Sequence, residues 1–418
     1  MANEVFETYE SEVRSYCRKF TSVFQVAKGS KIWDEQGREY LDFFDGAGAL
    51  NYGHNNDFIK NRVISYLQQD GIIHALDMYT GAKRDFIEYF EKNILQPKEL
   101  DYKIMFTGPT GTNAMEAAVK LARKVTGRTN IFALMGCFHG MTLGALSLTT
   151  DMASRKGAGV PLHDVTHIPA PYMFPELDTI AYMERLVTDD HSGVEMPAAL
   201  VVETVQAEGG IYPLDAEWLR RAEEFCHKHG ILFVVDDIQI GCGRSGNFFS
   251  FERAGIKPDI VGLSKSIGGY GLPMAIVLLK PELDIWKPGE HNGTFRGNNL
   301  AFVAAKAAIE FGLNEHIYED VTRKGEIIRE YVEKEILPLH EGLELRGLGL
   351  MWGIDFEKAA PAGTARKAVT ECFNRGLIIE QAGREDCVLK MMPALTISDE
   401  ELKAGLAIIK EAVKAVLS

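Results

Sequence analysis

Between about residue 65 and residue 310 the chain alternates short apolar runs with amphipathic stretches, and this alternation constrains the fold more than any other feature. The runs are Ile104–Phe106, Asn130–Leu134, Ala198–Glu203, Ile231–Asp236, Asp259–Leu263 and Met274–Leu279. Each has the length of a strand. The stretch Ala114–Val125 places Ala114, Ala117, Ala118, Leu121, Ala122 and Val125 on one helical face. Strands separated by helices form βαβ units, so the expected fold is α/β, with a mostly parallel sheet covered on both sides.

The two chain ends read differently. Ile32–Phe43 is two short β-type runs around an acidic turn at Glu35-Gln36-Gly37, a hairpin signal. After about residue 315 come a charged helix (Tyr318–Glu335), a glycine-punctuated stretch (Leu343–Phe356), a strand (Cys387–Met391) and an amphipathic helix (Asp399–Val416). The expectation is a large domain over residues 65–315 and a smaller α+β domain over 316–418, which the segment 1–64 joins, since chain ends often meet.

The formal charge of −14 argues against nucleic acid or an anionic membrane as the main partner. None of the six cysteines sits in a C-x-x-C and their spacing matches no zinc pattern, so free thiols in a reducing compartment and no metal are expected. The opening residues carry neither a basic nor an apolar signal region, and the longest apolar runs are too short to span a bilayer. A cytoplasmic location follows as the expectation.

Several motifs stand at strand ends. Gly241-Cys242-Gly243-Arg244-Ser245-Gly246 matches the dinucleotide fingerprint in letters only, because no helix-period face follows it. It reads better as an irregular loop beside a site. Thr107–Ala114 follows a strand and opens the alanine-rich helix, with Asn113 and Glu116 spaced as a capping box. Gly111 and Thr112 there offer N–H groups, a hydroxyl and the positive end of the helix dipole, which suit a phosphate; no P-loop lysine accompanies them. Phe138 lies in Gly136-Cys137-Phe138-His139-Gly140, where an aromatic could stack on a planar ring. Glu203 and Glu208 follow one strand, Asp236 ends the next, and Lys265 follows Asp259–Ser264. A lysine there is costly to bury unless paired or neutralised, and a lysine of lowered pKa can act as a nucleophile. Singly, these are also a capped helix, core packing and surface charges. Together they are the kit for pyridoxal 5'-phosphate: a lysine for the aldehyde, an acid for the pyridine nitrogen and an anchor for the phosphate.

The runs Asp236–Gly246, Pro258–Lys265 and His291–Asn298 resemble the class III aminotransferases of fold type I, and the resemblance extends over nearly the whole chain. It implies that Lys265 carries the cofactor, Asp236 pairs with the pyridine nitrogen and Gln239 meets the ring hydroxyl. Gly111 and Thr112 would hold the phosphate, Phe138 would stack on the ring, and Thr294 would reach the phosphate of a neighbouring subunit, which implies a homodimer at minimum. Within the class, Phe6–Tyr16, Gly46–Asn55 and Gly136–Thr142 resemble members that pass the amino group of L-glutamate to L-aspartate 4-semialdehyde at the start of ectoine biosynthesis. An ω-transaminase for ornithine, 4-aminobutyrate or a polyamine is the alternative the family offers.

Two positions depart from the class pattern. Asp237 stands where the class usually has glutamate, and Lys390 stands where it often has an arginine for the α-carboxylate of glutamate. A lysine is a point charge and lacks the bidentate fork. By the resemblance, Glu208 would neutralise Lys390 whenever no α-carboxylate is bound.

Overall fold

A seven-stranded sheet lies at the centre of the computed structural model, which describes residues 3–418. Its order is Lys103–Phe106, Ile276–Leu279, Ile260–Leu263, Leu232–Asp236, Ala199–Val202, Ile131–Leu134 and Val165–Ile168. Only Ile276–Leu279 runs against the others. The inner strands are buried along their length except at Leu232, which is part-exposed, as expected where helices cover both faces. All six apolar runs read from the sequence are strands of this sheet. The seventh, Val165–Ile168, was not foreseen; its polar Thr166 and His167 interrupt the apolar pattern on an edge strand.

The alanine-rich helix spans Gly111–Thr126 and buries Ala114, Ala117, Ala118, Leu121 and Ala122 against the sheet. Its cap differs from the expected one. Thr110 is the N-cap, and its backbone N–H donates to Asn113 Oδ1 at 3.3 Å. Glu116 points away and accepts from Thr142 Oγ1 at 2.5 Å and the Ala145 N–H at 3.0 Å. The true box lies three residues earlier because the strand ends at Phe106 and the turn is short.

The N-terminal hairpin, Lys31–Asp34 with Glu39–Asp42, pairs in parallel with Leu377–Ile378 from the far end of the chain. One hydrophobic core gathers Phe20, Tyr40 and Phe43 with Val321, Ile354, Phe373, Leu389 and Ile409. A second small sheet pairs Glu344–Leu348, Met351–Asp355, Val388–Met391 and Glu380–Ala382.

The Gly241–Gly246 loop joins these layers. Arg244 is completely buried there. It pairs with Asp45, donates to Asn51 Oδ1 at 2.6 Å, and donates to the carbonyls of Leu350 and Pro393 at 2.9 Å each. Gly243 sits at φ +94, a conformation that L side chains rarely adopt. Breaking a buried pair by removing one partner costs about 3–5 kcal/mol. Arg244→Ala is therefore expected to lower the unfolding free energy by that amount, read as a lower urea midpoint at unchanged slope. A loss below ~1 kcal/mol would mean that the loop is not a fastening point.

Candidate active site

Parallel strands deliver their C-terminal ends to one edge of the sheet, and ligands of α/β proteins sit in the crevice beyond it. Here those ends carry Thr110-Gly111-Thr112, Phe138-His139, Glu203, Asp236 and Lys265. All of them line one cavity of about 300 Å³, with Met141, Glu208, Ile238 and Gln239.

Lys265 follows Ile260–Leu263 and starts a short 3-10 turn at φ 55, an uncommon conformation for a non-glycine residue. Its neighbours are fastened. Ser264 Oγ donates to the Met274 carbonyl at 3.0 Å, and Ser266 Oγ donates to the Gly48 carbonyl at 2.8 Å. Burial lowers the Lys265 pKa, and Glu208 offsets part of that effect.

Asp236 is only 5% exposed. One carboxylate oxygen lies 2.7 Å from His139 Nδ1, and the other accepts the Ile238 N–H at 3.1 Å. His139 is buried, and its Nε2 has no partner among the described residues. This His139–Asp236 pair was missed in the sequence, although His139 adjoins the singled-out Phe138. Glu203 accepts the Phe138 N–H at 2.9 Å and the Ala207 N–H at 3.3 Å, and burial pushes its carboxyl up to about 7.

Gly111 and Thr112 begin their helix ahead of its first internal hydrogen bond, so their N–H groups face outward. A Cβ on Gly111 would stand 3.0 Å from the Ile238 side chain, so a larger residue there would push Ile238 aside on the cavity wall. Thr112 Oγ1 lies 2.9 Å from Thr142 Oγ1. Gln239 donates to the Ala47 carbonyl at 3.1 Å and to Glu208 at 3.2 Å, while its buried Oε1 has no partner among the described residues. A buried acceptor on the cavity wall fits a ligand hydroxyl. With an aromatic face, an anion-binding helix start, an acid and a buried lysine beside it, this donor set fits pyridoxal phosphate.

Lys390 is completely buried and reaches Glu208 at 2.5 Å and Glu380 at 2.9 Å. Burial works against its charge, but the two acids outweigh it and hold the ammonium above the ordinary lysine range. Burial also pushes Glu208 up, yet Lys390 and Lys265 prevail and hold it below its usual value. Glu380 was not foreseen. It lies directly opposite Lys390 in the pair Glu380–Ala382 and Val388–Met391, a register that a hairpin around Gly383–Asp386 would have revealed.

Asp237 points away from the cavity. It is buried and accepts from the Ser250 N–H at 3.1 Å and from the Ser250 hydroxyl, so it anchors the loop that follows Arg244. Thr294 is exposed and lies outside this chain's cavity; its carbonyl is 3.0 Å from His74 Nε2. The six cysteines are free, and only Cys17 is exposed. No helix among the described residues is long and apolar enough to cross a membrane.

Residues 14–413 match the family model for class-III aminotransferases. The chain is 54% identical over 416 residues to the diaminobutyrate–2-oxoglutarate transaminase of Halalkalibacterium halodurans, covering 99% of this chain and 96% of that one. It is 50% identical over 414 residues to the enzyme of that name from Oceanobacillus iheyensis, covering 99% and 96%. Among solved structures it superposes on the ornithine aminotransferase of Toxoplasma gondii, which holds PLP at partial occupancy in its active site. The TM-score is 0.86 at 24% identity, covering 99% of this chain and 94% of that one. Fold, cavity and sequence agree: the chain belongs to the class-III aminotransferases, with the fold type I architecture that its strand pattern implies.

Proposed function

We propose that this chain transfers the amino group of L-glutamate to L-aspartate 4-semialdehyde, giving L-2,4-diaminobutyrate and 2-oxoglutarate, the first committed step of ectoine biosynthesis. The observation that carries the chemistry is the meeting of Lys265, Asp236 and the Gly111-Thr112 helix start in one cavity. Identity of 54% with a diaminobutyrate–2-oxoglutarate transaminase supports the substrates.

Pyridoxal 5'-phosphate, the family's cofactor, supplies a covalent handle for the amino group and an electron sink for the carbanion formed beside it. The N–H groups of Gly111 and Thr112 would hold its phosphate, and Phe138 and Ile238, which line the same cavity, would lie beside its ring. Asp236, steadied by His139, would present a carboxylate to the ring nitrogen, and the unpartnered Gln239 Oε1 would accept from the ring hydroxyl. Lys265 would carry the cofactor, and its free amine would move a proton to and from the substrate's reacting carbon. Its lowered pKa suits it to accept that proton.

Glutamate brings an α-carboxylate to the reacting carbon, and the semialdehyde does not. In this reading the α-carboxylate displaces Glu208 from Lys390, while Glu380 keeps the ammonium in place during the exchange. When no α-carboxylate is present, Glu208 returns and leaves no uncompensated charge.

In this reading the N-terminal segment to residue 64 joins 316–418 as the small domain, over a cofactor-binding domain at 65–315; Phe20, Tyr40, Leu41 and Phe43 share the core of 316–418, whereas Tyr52 and Ile59 pack into the core of the large domain. The enzyme acts in the cytoplasm as a homodimer at minimum. Exposed Ile72, Ile73, Leu76, Met78, Tyr79 and Phe295 supply an apolar face for the partner, into whose site Thr294 reaches.

Single-turnover reactions of the cofactor-loaded protein with glutamate, diaminobutyrate, ornithine and 4-aminobutyrate test the substrates. Glutamate and diaminobutyrate are expected to bleach the cofactor absorbance fastest. A faster reaction with ornithine or 4-aminobutyrate would overturn the choice of acceptor.

A further inference from the structure

A phosphate dianion accepts hydrogen bonds and donates none, so a hydroxyl beside it helps only while its single proton can point at it. Two threonine hydroxyls flank Gly111 on the cavity wall, those of Thr110 and Thr112. Neither proton is free. Thr110 Oγ1 donates to Asn113 Oδ1 at 2.9 Å. The Thr112 proton is taken up by a longer route.

Thr142 Oγ1 donates to Glu116 Oε1 at 2.5 Å, and a carboxylate has no proton to return. Thr142 has then given up its one hydroxyl proton. At its 2.9 Å contact with Thr112 Oγ1 it can only accept, so Thr112 is the donor there. The Thr142 N–H donates back to Thr112 Oγ1 at 3.5 Å, which occupies the oxygen as well. The chain therefore runs one way, from Thr112 to Thr142 to Glu116.

This chain is built into the fold. Glu116 stands four residues after Thr112 on the helix Gly111–Thr126, hence on the same face. Its Oε1 also accepts the Ala145 N–H at 3.0 Å, which fixes the carboxylate at the start of the helix Leu143–Leu148. Thr142, the N-cap of that helix, makes no side-chain cap, so its hydroxyl serves the chain alone. Gly140 sits at φ +132, and a Cβ there would overlap Thr112 Oγ1. The same loop carries Phe138 and His139. The His139 N–H donates to Thr149 Oγ1 at 2.9 Å, and Thr149 Oγ1 donates to the Gly140 carbonyl at 3.0 Å. The chain thus ties the Phe138 loop to the helix start at the expense of a donor for the phosphate.

We infer that Thr142, oriented by Glu116, is a positioning residue that moderates the phosphate anchor. It draws the Thr112 hydroxyl proton away, so the helix N–H groups hold the phosphate, and any bond from this hydroxyl must first break the chain. The inference rests on the reading that Gly111 and Thr112 hold the cofactor phosphate. Once the amino group has passed to the cofactor, no covalent bond joins it to Lys265, and contacts of this kind decide how long it stays.

The test titrates the full-length protein, freed of cofactor, with pyridoxamine 5'-phosphate and with pyridoxamine. Neither carries an aldehyde, so neither can bond to Lys265, and calorimetry reads the contacts alone. Thr142→Val keeps the shape and removes the hydroxyl at an exposed position. It is expected to tighten pyridoxamine 5'-phosphate about five-fold, the size of one modest hydrogen bond, and to leave pyridoxamine unchanged. Thr142→Ser restores the hydroxyl and should return the wild-type affinity. Thr142→Val combined with Thr112→Val lacks the freed proton and should lose the gain. A merely structural role for Thr142 has the opposite sign, since a loosened loop binds both ligands less well. If wild type prefers the phosphorylated ligand but Thr142→Val binds it equally or more weakly, the inference falls and the phosphate site stands. An equal gain for pyridoxamine, or a gain that survives in the double variant, also overturns the inference. Wild type that binds the two ligands equally removes the phosphate site and the inference together.

Discussion

Lys265→Ala is expected to give a folded protein that turns over about 10⁴-fold more slowly than wild type, or not at all, since it loses both the nucleophile and the proton carrier. The fold should tolerate the change. Ser264 and Ser266 fasten this turn through their own hydroxyls, and the deleted ammonium is one that burial penalises. Unfolding free energies of variant and wild type, from urea titration, should therefore agree to within about 1 kcal/mol. Labelled borohydride should fix the cofactor to the Lys265 peptide of wild type and to no peptide of the variant. The pH profile adds a sign. A base must be neutral to accept a proton, so a lowered pKa moves the rising limb of the wild-type half-reaction to lower pH than an ordinary lysine gives. That limb should vanish in Lys265→Ala. Label on another lysine, or turnover above a trace, would put the nucleophile elsewhere.

Much of this arrangement was legible in the sequence because the chemistry sits at strand ends. A strand buried on both faces announces itself as an apolar run, and the residue after it must lie at the sheet edge. Asp236 and Lys265 were readable on that ground, and Gly111-Thr112 through the helix that follows. Interactions that depend on tertiary register were not readable. Glu380 meets Lys390 only because a short hairpin sets them opposite one another, and nothing local marks either residue as buried. His139, in a loop, meets Asp236 at the end of a strand nearly a hundred residues further along the chain. The Gly241–Gly246 loop read as an irregular loop beside a site, yet its structural work lay hidden, because Arg244 draws its partners from Asp45, Asn51, Leu350 and Pro393. Local patterns specify elements and their ends, whereas buried polar networks are specified by packing.

The adjacent acids Asp236 and Asp237 are expected to separate chemistry from stability. Asp236 lines the cavity and holds His139, so Asp236→Ala should slow the glutamate half-reaction by about 10²–10³-fold, the usual loss when a preorganised electrostatic partner is removed. Asp237 turns into the core instead. Asp237→Ala strands the Ser250 N–H and leaves the Ser250 hydroxyl with Thr204 alone, which should cost about 1–3 kcal/mol of stability and leave the half-reaction within a few-fold of wild type. A pH series sharpens the distinction. Burial pushes the Asp237 carboxyl up to about 7, whereas in the unfolded chain it titrates near ~4. Between those values the folded state holds a proton that the unfolded state has released. This group's contribution is therefore fully present below ~4 and is lost as the pH rises to about 7. Asp237→Asn stays neutral throughout and should flatten the fall in stability over that window. Glu203, also pushed up to about 7 by burial, keeps its own share in both proteins, so the slope should shrink without vanishing. Urea midpoints across the window, with half-reaction rates on the same samples, decide the matter. A well-folded Asp237→Ala that has lost the half-reaction, beside an Asp236→Ala that retains it, would exchange the two roles and place the functional acid one residue further along the chain.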